Sequence, residues 1–231
     1  MEHLKVTITF STPVAINSEY PTHMDGIIAA LVCHEAESLG SDTPWEDADD
    51  LSVYLDKTNG DNWVWKASQL ILTPDTGINF NNQIRKADPD KYFADLGKFW
   101  SGRNPTIEMP TGNIKPETFR IDTRSGQQRG YQWLNASQWI AKAEAWVVGD
   151  KDALESLLSS LTHVGMKKSN DWGRVKDIKI ESCPENDKWK IRFMPLEENG
   201  ADGVDYAIFD RRLHSPYSKK TGRVLVKEPV I

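Results

Sequence analysis

Twice along the chain, a run of alternating apolar and polar residues is followed by a segment whose apolar residues recur every three or four positions. In the first run Leu4, Val6, Ile8 and Phe10 alternate with Lys5, Thr7 and Thr9, the period of a half-buried strand that Thr12-Pro13 would end or bend. Met24, Ile27, Ile28, Leu31 and Val32 then share one helical face, with Thr22 as candidate N-cap and Gly40 just past the end. In the second run Ile140, Lys142, Glu144, Trp146 and Val148 lie on one face of a strand, with Trp139, Ala141, Ala143, Ala145 and Val147 on the other. A helix capped by Asp150 or Asp152 follows, lined by Leu154, Leu157, Leu158 and Leu161 and ending at Gly165. Val175, Ile178 and Ile180 form the next strand. Trp189, Ile191 and Phe193, alternating with Lys188, Lys190 and Arg192, read as its antiparallel partner, and Trp63 to Leu72 reads as one strand or a hairpin arm. The order β-α-β, insertion, β-α-β-β implies an α+β chain of ferredoxin type, with helices on one face of an antiparallel sheet.

Between the two units the periodicity breaks down. Residues 73–131 carry Pro74, Pro89, Pro105, Pro110 and Pro116, yet keep Phe93, Phe99, Trp100, Phe119 and Tyr131. Aromatics in that number favour an ordered insertion over a linker. The 231 residues are enough for a substantial core, and no apolar run approaches the roughly 20 residues needed to cross a bilayer. Met1 to Phe10 lacks the basic and apolar regions of a signal peptide, so a soluble cytosolic protein is the default expectation. Cys33 and Cys183 are too few and too distant for a disulfide framework or a zinc knuckle, and read as two ordinary thiols.

The net charge of −6 speaks against nucleic acid only if it is evenly spread, and it is not. Residues 1–62 hold twelve acids and two bases, whereas residues 63–231 hold twenty-two acids and twenty-six bases. Arg211 to Lys227 has six bases and no acid, and Lys167 to Lys179 has five bases against Asp171 and Asp177. Either basic stretch alone is also what a solvated face looks like. The Glu46–Asp50 cluster lacks the ligand spacing and mid-loop glycine of an EF-hand and reads as a solvated acidic loop. Phosphate-binding, dinucleotide-binding, zincin and nucleophile-elbow motifs do not occur, so the common enzyme classes have no support in the sequence.

The most informative stretch runs from His163 to Lys176. Its glycines permit close backbone approach and positive φ, its exposed N–H groups with Lys167, Lys168 and Arg174 attract phosphate, and Trp172 offers a stacking face. Such a loop fits a single-stranded nucleic-acid backbone, although a C-capping glycine followed by a solvated turn would look similar. The wording Gly165-Met-Lys-Lys-Ser-Asn-Asp-Trp-Gly-Arg-Val175 resembles the glycine-rich loop of the RAMP superfamily, the repeat-associated RNA-binding subunits of CRISPR effector complexes. Pro21-Thr-His-Met-Asp-Gly-Ile-Ile-Ala-Ala30 resembles the opening of the first helix in the same families. Where the family loop often has glycine, this chain has Asp171, and Asn and Asp tolerate left-handed backbone better than other side chains.

The resemblance is closest to the small type IV subunit that caps the 5′ handle of the guide RNA. It implies a single ferredoxin-like (RRM-like) RAMP domain over residues 1–231, a thumb-like insertion at 73–131 and a basic C-terminal segment at 198–231. It also implies a non-catalytic role, gripping the repeat-derived handle and capping the backbone filament beside the large subunit, with target DNA near the flanking motif as a further contact. Neither cofactor, metal nor membrane is implied. The candidate RNA-binding residues are His23, Lys167, Lys168, Ser169, Asn170, Trp172 and Arg174, and in the insertion Arg103, Lys115, Arg120, Arg124 and Arg129. The alternative is a metal-independent endoribonuclease of the same superfamily, with His23 or His34 as general acid or base and Lys167 or Lys168 as electrostatic support. A third reading is a protein-interaction module that uses the acidic N-terminal part. In the RNA-binding reading, the acid of residues 35–61 should lie away from the RNA, facing solvent or a basic partner.

Overall fold

The computed structural model describes residues 1–15, 20–85, 131–166 and 168–230, with backbone alone for 81–85 and 131–134. The chain divides into two compact units, residues 1–79 with 136–231, and residues 80–135.

The first unit is built on a four-stranded antiparallel sheet. β1 (Glu2–Phe10) pairs on one side with β6 (Ile140–Gly149) and on the other with β7 (Val175–Ser182), while β3 (Ile71–Pro74) lies outside β6, giving the order β3-β6-β1-β7. Register follows the apolar pattern: Val6 faces Ala145 across one ladder and Ile180 across the other. Helix α1 (Met24–Ser38) follows β1, and helix α3 (Lys151–Leu158) follows β6; a single turn, α2 (Pro44–Asp47), lies between them.

Leu4, Val6 and Ile8 of β1, Ala143, Ala145 and Val147 of β6, Met24 and Ile28 of α1, and Leu154 and Leu158 of α3 form one buried cluster. Each large aliphatic side chain buried there contributes about 1.5–3 kcal/mol. Trp146 and Val148, on the opposite face of β6, belong to a second cluster with Trp189, Phe193, Met194, Leu213, Tyr217 and Val226. That cluster underlies a small antiparallel sheet of order β8-β10-β9, made of β8 (Met194–Pro195), β9 (Tyr206–Arg211) and β10 (Val224–Pro229). Within the first unit, Val14 and Ala15 of β2 also pair with Gln138 and Ser137 at the end of β5 (Tyr131–Gln138). The second unit holds most of β5 and of β4 (Asn79–Arg85), which are hydrogen-bonded neighbours.

Antiparallel sheets with few helices give the α+β class expected, and several elements differ from the periodicity. The N-cap of α1 is His23 rather than Thr22, and α3 ends at Leu158, well before Gly165, although Leu161 still reaches the core. Asp150 caps α3, accepting the Ala153 N–H at 2.9 Å. Trp63 to Leu70 is no continuous strand. It is a strap held by isolated bridges such as Ala67 to Val147, because Val64, Trp65, Ala67, Ser68, Gln69 and Leu70 are all buried and leave no solvent-facing alternate row. Residues 188–193 do not pair with β7. Lys188–Lys190 is a turn of 3₁₀ helix, and Arg192, placed on the polar face by its charge, is 0% exposed. Both cysteines are free; Cys33 is buried and Cys183 half-buried.

Candidate functional site

The loop from His163 to Arg174 is fixed by its ends. His163 bridges Arg174, the Val164 N–H donates to Gly173 C=O at 2.9 Å, and the Gly173 N–H donates to Pro13 C=O at 2.8 Å. Gly173 has φ +70°, and a Cβ there would collide with the Val164 carbonyl, so no other residue fits. Asp171 has φ +61°, the non-glycine left-handed conformation that its side chain tolerates. Thr12 locks that turn from below, donating to Asp171 C=O at 2.6 Å and accepting the Arg174 N–H at 2.9 Å.

The Asp171 carboxylate gathers two side chains through one oxygen, His163 Nε2 at 3.0 Å and Arg174 Nε at 2.7 Å. The His163 and Arg174 contacts hold its pKa below the usual carboxylate value. Lys168–Asn170 forms a 3₁₀ turn with all three residues exposed, and the Arg174 side chain is largely exposed as well. Cations and donors therefore project from a rigid backbone. Beside the loop, a cleft of about 700 Å³ opens between α3 and β7, lined by Leu158, Leu161, Val175 and Ile178, with His163 and Arg174 at its rim.

Of the sequence-predicted residues, the structure brings Lys168, Ser169, Asn170 and Arg174 together on this loop, with Trp172 half-buried among them. Lys167 lies outside the described residues, as do Arg103, Lys115, Arg120, Arg124 and Arg129. His23 is placed elsewhere and is 1% exposed, stacked on Tyr217 at 4.2 Å and edge-on to Phe193 at 4.4 Å between ring centroids. Neither ring nitrogen has a hydrogen-bond partner, and burial, helped by the nearby Arg192 charge, drives its pKa well below 6.5. The ring is therefore neutral and closed off from solvent, apart from the exposed loop residues named with it as candidate RNA contacts. His34 is exposed on α1, 3.6 Å from Glu37.

What the sequence did not disclose is the reason for the Asp-Gly of the first helix. Asp25 Oδ2 accepts from the Tyr217 hydroxyl at 2.5 Å and from Arg192 Nη2 at 3.2 Å. The rest of the Arg192 guanidinium donates to Trp65 C=O, to Ala67 C=O at 3.1 Å and to Leu213 C=O at 3.0 Å. Burial opposes the Arg192 charge, but Asp25 and Tyr217 more than offset it, so its pKa lies above the ordinary value. This part of the motif is a structural knot. The only signal in the sequence was a lone Arg between two apolar residues, Ile191 and Phe193.

The basic C-terminal stretch is partly used within the fold. Arg211 pairs with Glu228 at 2.9 Å, Arg223 donates to the Tyr20 hydroxyl at 3.0 Å, and Lys227 donates to Glu198 C=O at 2.8 Å. Lys219 and Lys220 are exposed. Among the described residues no helix is long and apolar enough to cross a membrane. No curated protein matches the chain. A family described as CRISPR type IV associated protein Csf3 matches residues 2–229.

Proposed function

The chain belongs to that family of type IV CRISPR-associated proteins, and on that premise we propose that it is a non-catalytic RNA-binding subunit of a type IV effector complex. In this reading it grips the 5′ repeat-derived handle of the guide RNA and caps the backbone filament beside the large subunit, in the cytoplasm. The β-α-β-β-α-β succession of β1, α1, β3, β6, α3 and β7, in sheet order β3-β6-β1-β7, supports a ferredoxin-like RAMP fold with residues 73–131 as its thumb.

The observation that carries the reading is the exposed Lys168–Asn170 turn with Arg174, clamped at its base by Thr12, Asp171 and Gly173. Rigid donors and cations on one loop suit phosphate contact, and the adjoining cleft has room for a base. The sealed, neutral His23 favours a binding role over acid–base cleavage. The test is fluorescence anisotropy with repeat-handle RNA across a salt series. Lys168→Ala and Arg174→Ala should each lower the salt slope by about 1 while weakening binding. Unchanged affinity in both variants would remove the loop from the interface. Cutting of repeat RNA in EDTA, abolished by His34→Ala, would replace binding with cleavage.

A further inference from the structure

The basic stretch from Arg211 to Lys227 contains a second loop worded like the glycine-rich one. The first runs Lys167-Lys-Ser-Asn-Asp-Trp-Gly-Arg-Val175, and the connection between β9 and β10 ends Lys219-Lys-Thr-Gly-Arg-Val224. Each has two lysines and a hydroxyl residue and then Gly-Arg-Val, with the valine opening a strand, β7 in one case and β10 in the other. The backbone repeats as well, since Gly173 and Gly222 both have φ +70°. In each loop the arginine turns its Nε back on the chain, Arg174 to the Asp171 carboxylate at 2.7 Å and Arg223 to Lys219 C=O at 3.4 Å.

The two loops differ in their surroundings. A Cβ at Gly173 would collide with the Val164 carbonyl, whereas one at Gly222 would meet nothing within 4 Å, so the second glycine leaves open space for a ligand to approach the backbone. Lys219, Lys220, Thr221 and Gly222 are all exposed. Among the described residues, only Arg211 of the six bases from Arg211 to Lys227 forms an ion pair, with Glu228. Arg212, Arg223 and Lys227 donate to neutral groups, Thr221 C=O, the Tyr20 hydroxyl and Glu198 C=O, which hold the side chains without cancelling their charge. Lys219 borders a cavity with Glu46 and Asp49, so the charge left to a ligand lies chiefly on Lys220 and Arg223.

Both loops are tied to one short piece of chain in the first unit. Thr12 locks the glycine-rich loop, and the Tyr20 hydroxyl accepts from Arg223 Nη2 at 3.0 Å. The eight residues from Thr12 to Tyr20 reach at most about 29 Å when fully extended, which brings both loops within range of one strand. Lysines, a hydroxyl and an open glycine with no stacking ring suit phosphate rather than a base. We propose that residues 219–223 form a second grip on the phosphate backbone of the guide RNA. The proposal rests on the RNA-binding reading of the chain, but not on the first loop's share in it.

Anisotropy of the full chain with repeat-handle RNA and with a scrambled RNA of equal length, across a salt series, tests this. Lys220→Ala should lower the salt slope by about 1 and weaken both RNAs alike, by about three- to five-fold, because a phosphate contact carries no sequence information. Lys220→Glu should weaken both by about ten-fold, whereas Lys188→Ala, at an exposed lysine of another segment, should change neither by more than about two-fold. Lys168→Ala, measured beside them, separates the two loops: no effect there with a full effect of Lys220→Ala removes the first loop from the interface and keeps the second. Equal effects of Lys220→Ala and Lys188→Ala would mark a diffuse attraction by net charge and overturn the proposal. Weakening confined to duplex DNA, or to a labelled oligoglutamate peptide, would assign the loop to DNA or to an acidic protein segment and defeat it as well.

Discussion

Among the described residues, histidine, aspartate and arginine come together as His163, Asp171 and Arg174 on the loop and as His23, Asp25 and Arg192 in the interior. The same three side-chain types do opposite work. On the loop the Arg174 and Asp171 side chains are 57% and 44% exposed, so their ion pair is screened and the backbone turn carries the rigidity. Inside, the Arg192 and Asp25 side chains are 0% and 1% exposed, and every donor of the guanidinium fork must be matched because water cannot replace a lost partner. Charge in the first place is available to a ligand, and in the second it is consumed by the fold.

Breaking the interior set should give the largest effect. Arg192→Met leaves Asp25 without its ionic partner and should cost about 3–5 kcal/mol in urea unfolding. A loss below about 1 kcal/mol would mean that the two sets are energetically alike. On the loop the vulnerable point is backbone: Gly173→Ala at φ +70° should cost about 1–3 kcal/mol and weaken RNA binding with it. Tyr217→Phe removes one hydroxyl from the interior and should cost about 1–2 kcal/mol, with the fold retained by circular dichroism.

His23 gives the comparison a pH axis. Its folded pKa lies well below the 6.5 of the exposed ring, so the unfolded chain binds the extra proton first. Stability from a neutral His23 is therefore complete above pH 6.5 and lost as pH falls below it, by up to about 1.4 kcal/mol per pH unit. Urea midpoints between pH 7 and 5 should show that slope, and His23→Phe should flatten it. The smallest effect belongs to Asp171→Gly. It keeps the left-handed turn and removes two partly exposed contacts, to Arg174 and His163, so stability should fall by less than about 1 kcal/mol.

How far the sequence could be read follows from the same contrast between one-sided and two-sided burial. β1, β6, α1 and α3 each have one buried face, and period 2 or 3.6 exposed them. The strap at 63–70 and the segment at 189–194 are buried except for half-buried Trp63, Lys66 and Lys190, so alternation there carried no information about pairing. β9 ends and β10 begins at the two ends of the basic Arg211–Lys227 stretch, and their exposed Ile208, Val224 and Leu225 gave no inward-facing row to detect. The loop was legible because glycine spacing and Asp171 report backbone conformation directly. The burial of His23 was not legible because a histidine beside a motif looks the same in sequence whether its ring faces solvent or, as here, Phe193 and Tyr217.

The bond from Tyr217 to Asp25 spans 192 positions, and the one from Arg192 spans 167. During translation the first helix therefore emerges with an acidic side chain aimed inward at partners that the ribosome has not yet made. A nascent chain stopped short of Tyr217 would carry an open, water-seeking hole beneath α1, next to the unpaired ring of His23. Closure of the interior thereby waits on the arrival of Arg192 and Tyr217, and a chain lacking them would expose an unsatisfied first helix to cellular quality control.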